Sequence, residues 1–160
     1  MKKKFFALSL PVLILFFAGC ASQTVNGKFP LSGYNAFEVM PVSNDTGEIF
    51  DSDVAAEITR HIILRLRQEG FNIAETPGST VIIKTSLTYY EVSRTGRATC
   101  TIKSMLIDKR TGKGLGEILT TRSVTVGGLS QLGLEADRAV LEMAVEDIVT
   151  QLERKTGARR

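Results

Sequence analysis

The sequence predicts an α+β fold, two helices packed on one face of a mainly antiparallel sheet of about four to five strands. Three observations carry this. Segments 54–66 and 136–152 repeat apolar residues every four positions. A segment that alternates apolar and polar residues starts at Val81 and leads into two glycine-containing turns, at 93–97 and 108–113. A short, mostly apolar run at 34–42 precedes the first helix. A helix with one apolar stripe and a half-buried strand each need a partner layer, and stacking the two helices on one sheet face satisfies both.

The elements follow in order. The run 34–42 reads as a strand buried on both faces, with Pro41 marking an edge or an end. Asn44-Asp45-Thr46-Gly47 reads as a turn. Asp51, Ser52 and Asp53 offer N-cap oxygens to a helix whose stripe is Val54, Ile58, Ile62 and Leu66, with Ala55 and Ile63 alongside. Arg60, Arg65, Arg67 and Glu69 take its wetter side, and Gly70 suits the position just past its end. Phe71, Asn72 and Ile73 re-enter the core, and Pro77-Gly78 turns the chain.

In the next strand the odd positions Val81, Ile83, Leu87 and Tyr89 are apolar, interrupted by Thr85, so Tyr89 is expected in the core and Tyr90 outside. A second strand runs to Ile107. The third, about 115–126, asks for burial of both Leu119 and Val124, which a bulge between them would reconcile. Segment 127–133 reads as a flexible connection. The closing helix carries Ala136, Val140, Ala144, Ile148 and Leu152, flanked by Leu141 and Val145, and ends in Arg154-Lys155.

Ahead of this domain, Lys2-Lys3-Lys4, an apolar stretch at 5–17 and Ala18-Gly19-Cys20 make an export signal. The apolar stretch falls short of the roughly 20 residues that a spanning helix needs, which favours cleavage. A cysteine directly after Ala18-Gly19 resembles the lipobox of bacterial lipoproteins. That resemblance implies cleavage between Gly19 and Cys20, acylation of Cys20 and attachment to a membrane through the N-terminal lipid. An ordinary cleaved signal or an uncleaved anchor, with Cys20 incidental, are the alternatives. In the enteric sorting pattern Ala21 is permissive for the outer membrane. The expected location is therefore its periplasmic face, given a two-membrane bacterium.

The expected organisation is a signal at 1–19, an acylated cysteine and short tether at 20–33, one domain at 34–156 and a tail at 157–160. Thirteen tether residues, 21–33, reach at most about 45 Å. The signal holds three lysines and no acids, so cleavage takes the net charge from +3 to zero. The basic balance thus belongs to the export signal and gives no ground for a nucleic-acid partner.

Residues able to do chemistry are few. Cys100, between Ala98 and Ile102 on one strand face, reads as a small buried hydrophobe, with a reactive thiol as the alternative. His61, the one histidine, borders the first helix stripe, and the sequence marks no base, orienting partner and nucleophile that converge on it. Asp45, Glu48, Asp51 and Asp53 offer oxygens to calcium, without the spacing of an EF-hand loop, and capping already accounts for Asp51 and Asp53. The glycines of 112–116 and 127–128 lack a phosphate-binding context. No cofactor, metal site or catalytic residue is expected. Arg94 and Arg97 at one hairpin tip, and Lys109, Arg110 and Lys113 at the next, are turn cations able to meet anionic lipid or wall polymer. Tyr90, Arg94 and Arg97 are the expected partner contacts, with outward Met105 and Ile107 extending an apolar patch from Tyr90.

Three stretches resemble a group of small envelope lipoproteins: Phe37-Glu38-Val39-Met40-Pro41-Val42 before Asn44-Asp45-Thr46-Gly47, the helix end Leu66-Arg67-Gln68-Glu69-Gly70-Phe71, and the hairpin Asp108-Lys109-Arg110-Thr111-Gly112. The group includes the DUF4410-type lipoproteins of unknown function. More distantly it includes the periplasmic domains of the curli-secretion and penicillin-binding-protein-activator lipoproteins. The resemblance spans about 34–155 and implies fold and compartment. It carries over no functional residue. The long membrane hairpins of the curli type and the long tether of the activators have no counterpart in this chain.

The first expectation is a non-enzymatic binding or assembly accessory of an envelope complex. The second is a homo-oligomeric scaffold pairing through a sheet edge near Pro41 or 71–74, and the third an enzyme on wall or lipid substrates. Cys20→Ala should move the protein from the detergent phase to the aqueous phase on Triton X-114 partitioning and remove its acyl mass.

Overall fold

The computed structural model describes residues 31, 33–34, 36–48, 53–73, 80–94, 96–125 and 132–156. The signal, Cys20, most of the tether, Asp51, Ser52, Pro77-Gly78, the 127–128 glycines and the tail lie outside the described residues.

Strand β1 (Ala36–Val39) and the two-residue β2 (Ser43–Asn44) both pair in parallel with β3 (Thr80–Val92). They form one edge line interrupted at Met40, Pro41 and Val42. Pro41 has no N–H to give a ladder, so the break falls where the chain can tolerate it. The Val42 amide turns away to the Thr59 hydroxyl, 2.9 Å distant on the first helix. Helix α1 (Val54–Gln68) carries the chain back so that β3 starts beside β1. Strands β3, β4 (Arg97–Asp108) and β5 (Gly114–Thr125) then form an antiparallel meander, giving the order β1-β3-β4-β5, and helix α2 (Leu132–Thr156) closes the domain.

Local chemistry sets the ends of α1. The Asp53 carboxylate accepts from the Ala56 amide at 2.9 Å, capping the first turn. At the other end Gly70 adopts φ +81°, which places the Gly70 amide on the Arg67 carbonyl and the Phe71 amide on the Leu66 carbonyl. This pair of bonds is the Schellman closure, and only glycine takes that φ without a Cβ penalty. Phe71 then packs edge-on against Phe37, ring centroids 5.1 Å apart.

Both helices cover one sheet face. The α1 stripe Val54, Ile58, Ile62 and Leu66 is buried, as is the α2 stripe Ala136, Val140, Ala144, Ile148 and Leu152 with Leu141 and Val145. Beneath them lie Val81, Ile83 and Leu87 of β3, Ala98, Cys100, Ile102 and Leu106 of β4, and Ile118 of β5. The α+β arrangement is as the sequence predicts.

Three details differ. Leu31, assigned by sequence to the tether, is buried in the core, and its amide donates to the Lys155 carbonyl at 2.9 Å. Helix α2 begins at Leu132 and so takes in Gly133. The β5 irregularity lies at its start, where Leu106 pairs with Gly116 and Ile107 with Gly114, leaving Leu115 as the extra residue. From there Ile118, Thr120, Arg122 and Val124 share the inner face, while Leu119 is left half-buried on the outer one.

Ile62→Ala should lower the free energy of unfolding by about 3 kcal/mol, from lost burial plus a cavity. Exposed Leu64→Ala should cost less than about 0.5 kcal/mol. Urea denaturation followed by circular dichroism measures both.

Candidate interaction surfaces

The tyrosine pair is reversed relative to the sequence expectation. Leu87 pairs with Ile102 but Tyr89 pairs with Thr101, so Thr88 is an extra residue in β3. One inserted residue flips every later side chain to the other face. Tyr90 therefore points inward opposite Cys100, is 8% exposed, and donates its hydroxyl to the Asp137 carboxylate on α2. Tyr89 is the outward ring, 45% exposed. Tyr90 is thus a core residue and does not serve as an exposed contact. Glu91 was the readable hint, because an unbroken alternation from Val81 would have buried its charge.

Cys100 is fully buried, and desolvation pushes its thiol up to about 12. Its sulfur lies 3.7 Å from the Val140 carbonyl. It packs as a small hydrophobe under α2.

The outer sheet face is dominated by hydroxyls: Ser43 meets Ser86 at 2.9 Å, Thr99 meets Ser123 at 2.9 Å and Thr101 meets Thr121 at 3.0 Å. Lys103 pairs with Glu117 at 2.8 Å. Met105 is exposed on this face and Ile107 is half-buried. Tyr89 lies opposite Thr101, four positions along β4 from Met105, or about 13 Å. The exposed apolar groups are therefore spread out and form no continuous patch with Tyr90.

The two turn clusters occupy opposite ends of the meander. Arg94 and Arg97 flank the β3–β4 turn, where the Arg97 guanidinium donates to the Ser123 hydroxyl at 3.1 Å. Lys109, Arg110 and Lys113 lie at the β4–β5 turn. That turn is organised by Asp108, whose carboxylate accepts from the Arg110 and Thr111 amides and from the Tyr34 hydroxyl at 2.8 Å. The Tyr34 bond is the main cause that holds the Asp108 carboxyl below the usual carboxylate range, and the same bond raises Tyr34.

Two further places were candidates for chemistry. Between α1 and α2 runs a groove of about 480 Å³ lined by His61, Leu64, Arg65, Arg138, Glu142 and Glu146, among others. Its charges pair with one another: Arg65 with Glu146 at 2.5 Å, and Arg138 with Glu142 at 3.0 Å. His61 sits 3.9 Å from Glu57 across one helical turn, and no hydroxyl or thiol is among the lining residues. In the acidic loop, Asn44 accepts from Thr46 and donates to the Glu48 carbonyl, while Asp53 caps α1. Among the described residues no three metal-binding side chains cluster.

The sheet edges differ sharply. On the β1 side the strands are short, Pro41 interrupts them, and Asn72 bridges to Ala36, with the Phe37 amide donating to the Asn72 carbonyl at 2.8 Å. Asn72 thus covers the start of the edge near Pro41 and 71–73, and Ala74 lies outside the described residues. On the far side β5 is 12 residues long, contains no proline or lysine, and pairs only with β4 among the described strands. An edge of that kind offers a row of backbone groups to another strand.

No family model and no curated protein matches this chain. Solved structures do. A PelC variant that forms a dodecamer, from Paraburkholderia phytofirmans, is 17% identical with a TM-score of 0.52, over 76% of this chain and 94% of that one. The hypothetical protein CT253 from Chlamydia trachomatis is 11% identical with a TM-score of 0.59, over 79% and 100%. Protein XCC0632 from Xanthomonas campestris is 14% identical with a TM-score of 0.56, over 81% and 86%. At these identities the likeness establishes a shared fold across nearly the whole described domain.

Because Asp108 ionises more readily when folded, its contribution to stability is present above the ordinary carboxylate pKa and fades as pH falls through the lowered value. Asp108→Asn should flatten the acid limb of stability below about pH 4. Tyr34→Phe should shift the same limb, as read by thermal melts between neutral and acid pH.

Proposed function

We propose that this chain is an envelope lipoprotein, anchored by lipid at Cys20 on the periplasmic face of the outer membrane, whose domain assembles with copies of itself into a non-enzymatic scaffold. The observation that carries this reading is the β5 edge. Past the bulge at Leu115 it presents nine residues, 117–125, with neither proline nor lysine to keep the edge solitary. Inward Arg122 is held by the Asp147 carboxylate on α2, so its charge does not guard the edge. The likeness in fold to a PelC subunit that assembles as a dodecamer supports self-association. Membership of the DUF4410-like lipoproteins belongs to the same reading, on the three stretches that resemble them. An accessory role beside another envelope protein is second to self-assembly, because the surface expected for it centred on Tyr90, a core residue.

The acylated protein at micromolar concentration in detergent should run as an oligomer by light scattering. Leu119→Lys with Thr121→Lys, which places charges along β5, should lower its mass toward the monomer. A wild-type monomer under these conditions sinks the scaffold reading. An oligomer indifferent to the lysines moves the interface off β5.

A further inference from the structure

The strand directions place one set of charges at the end where the tether enters. The Leu31 amide bonds to the Lys155 carbonyl near the end of α2, and the Tyr34 hydroxyl bonds to Asp108 at the β4–β5 turn. The Lys109 amide donates to the Thr80 carbonyl at the start of β3. Residue 31, the β4–β5 turn and the close of α2 therefore share one end of the domain. That end carries Lys109, Arg110 and Lys113 on the turn and Arg154 and Lys155 on the helix, and all but Lys155 are well exposed.

The carboxylates of this end are engaged. Glu38 pairs with Lys109 at 2.6 Å, Asp108 is held by Tyr34 and its own turn, and Glu69 pairs with Arg65 at 3.2 Å. Burial, with the neighbouring Glu69, raises the Glu153 carboxyl. Arg159 and Arg160 follow α2 in the sequence. The opposite end carries Asp45, Glu48, Asp53, Glu91 and Asp137 against Arg94, Arg97 and Arg138. The domain is thus polarised, basic where the chain from Cys20 enters and acidic at the far end.

Tether length converts this polarity into an orientation. Ten residues lie between Cys20 and Leu31, eleven residue steps, which span about 18 Å as a coil and at most about 38 Å when fully stretched. Strand β4 alone, with 12 residues, spans about 37 Å. Turning the acidic end to the bilayer would force the tether to run the length of the domain at full extension. With the basic end down, its length leaves slack.

We infer that the basic end formed by the β4–β5 turn and the close of α2 is a docking surface for the anionic headgroups of the bilayer that holds the chain. The inference rests on the lipid anchor proposed above, which supplies the short tether. Its occupant is a phosphate-bearing lipid surface, recognised by charge and not by shape, and it complements the β5 edge, which faces sideways from this axis and stays available to a second copy.

The test removes the acyl chain so that only the surface is read. The full mature chain with Cys20→Ala is sedimented with vesicles of phosphatidylcholine alone and with vesicles containing phosphatidylglycerol. Each basic residue near an anionic surface contributes about fivefold in binding. Arg110→Glu with Lys113→Glu should therefore lower binding to the anionic vesicles by at least about 25-fold, and raised salt should weaken it. Arg110→Lys with Lys113→Arg should retain it, and Arg94→Glu with Arg138→Glu at the far end should leave it unchanged. Circular dichroism confirms that each variant is folded. Equal binding to both vesicle types, or an equal loss from the far-end reversal, overturns the inference. The anchor is judged separately, by membrane recovery of the wild type against Cys20→Ala. Failure there removes the scaffold's attachment while the vesicle result still decides the surface.

Discussion

Helix α2 lying along the inner face of β4 and β5 is the contact on which the rest of the structure depends. The β4 residues beneath it, Ala98, Cys100, Ile102, Ser104 and Leu106, are all fully or almost fully buried, and so are Ala136, Val140, Ala144 and Ile148 above them. Small residues on both sides let the helix sit close, so that hydrophobic burial and dispersion act over its whole length. The polar atoms trapped in this layer are mostly matched, as where Thr85 and Ser104 share a hydrogen bond of 2.9 Å, which limits the cost of burying them. Side-chain pairs fix the helix from both flanks: Tyr90 of β3 to Asp137, and Arg122 of β5 to Asp147. These are charge-assisted bonds in a largely dry setting, and they set the rotation of α2 about its axis.

The extra residue at Thr88 has consequences beyond its own strand. It brings Tyr90 under α2, where the hydroxyl finds Asp137, and it leaves Tyr89 on the hydroxyl-rich outer face beside Glu91. Without it, Tyr89 would lie beneath the helix and the Glu91 carboxylate would face the core, a burial that costs several kcal/mol unless the charge is paired. The bulge is therefore the inexpensive solution to a sequence that cannot keep one alternation along 13 residues of β3.

The two edges of the sheet differ from one another, and so do the two ends of the domain. One edge is interrupted at Pro41 and bridged by Asn72 at Ala36, while β5 pairs only with β4 among the described strands. One end gathers the cations together with the entry of the tether. The β5 edge and the basic end are separate surfaces of the domain, β5 running along its side and the β4–β5 turn closing its end.

Much of this was legible in the sequence. The spacing of four in both helices, the Asp53 and Gly70 caps and the two hairpin turns each depend on residues within a few positions of one another, so local pattern determined them. The export signal and Cys20, read from short-range pattern as well, lie outside the described residues. The tertiary structure decided what depends on distant partners. It placed Leu31 in the core because the α2 terminus offers it a carbonyl, and it turned Tyr90 inward because Asp137, 47 residues away, accepts its hydroxyl. It bridged one edge through Asn72 and paired β5 only with β4 among the described strands, since edge status depends on which strands meet and not on what any one of them contains. It also brought the Lys109–Lys113 turn to the tether end, because strand direction, which no local spacing encodes, determines which turns share an end.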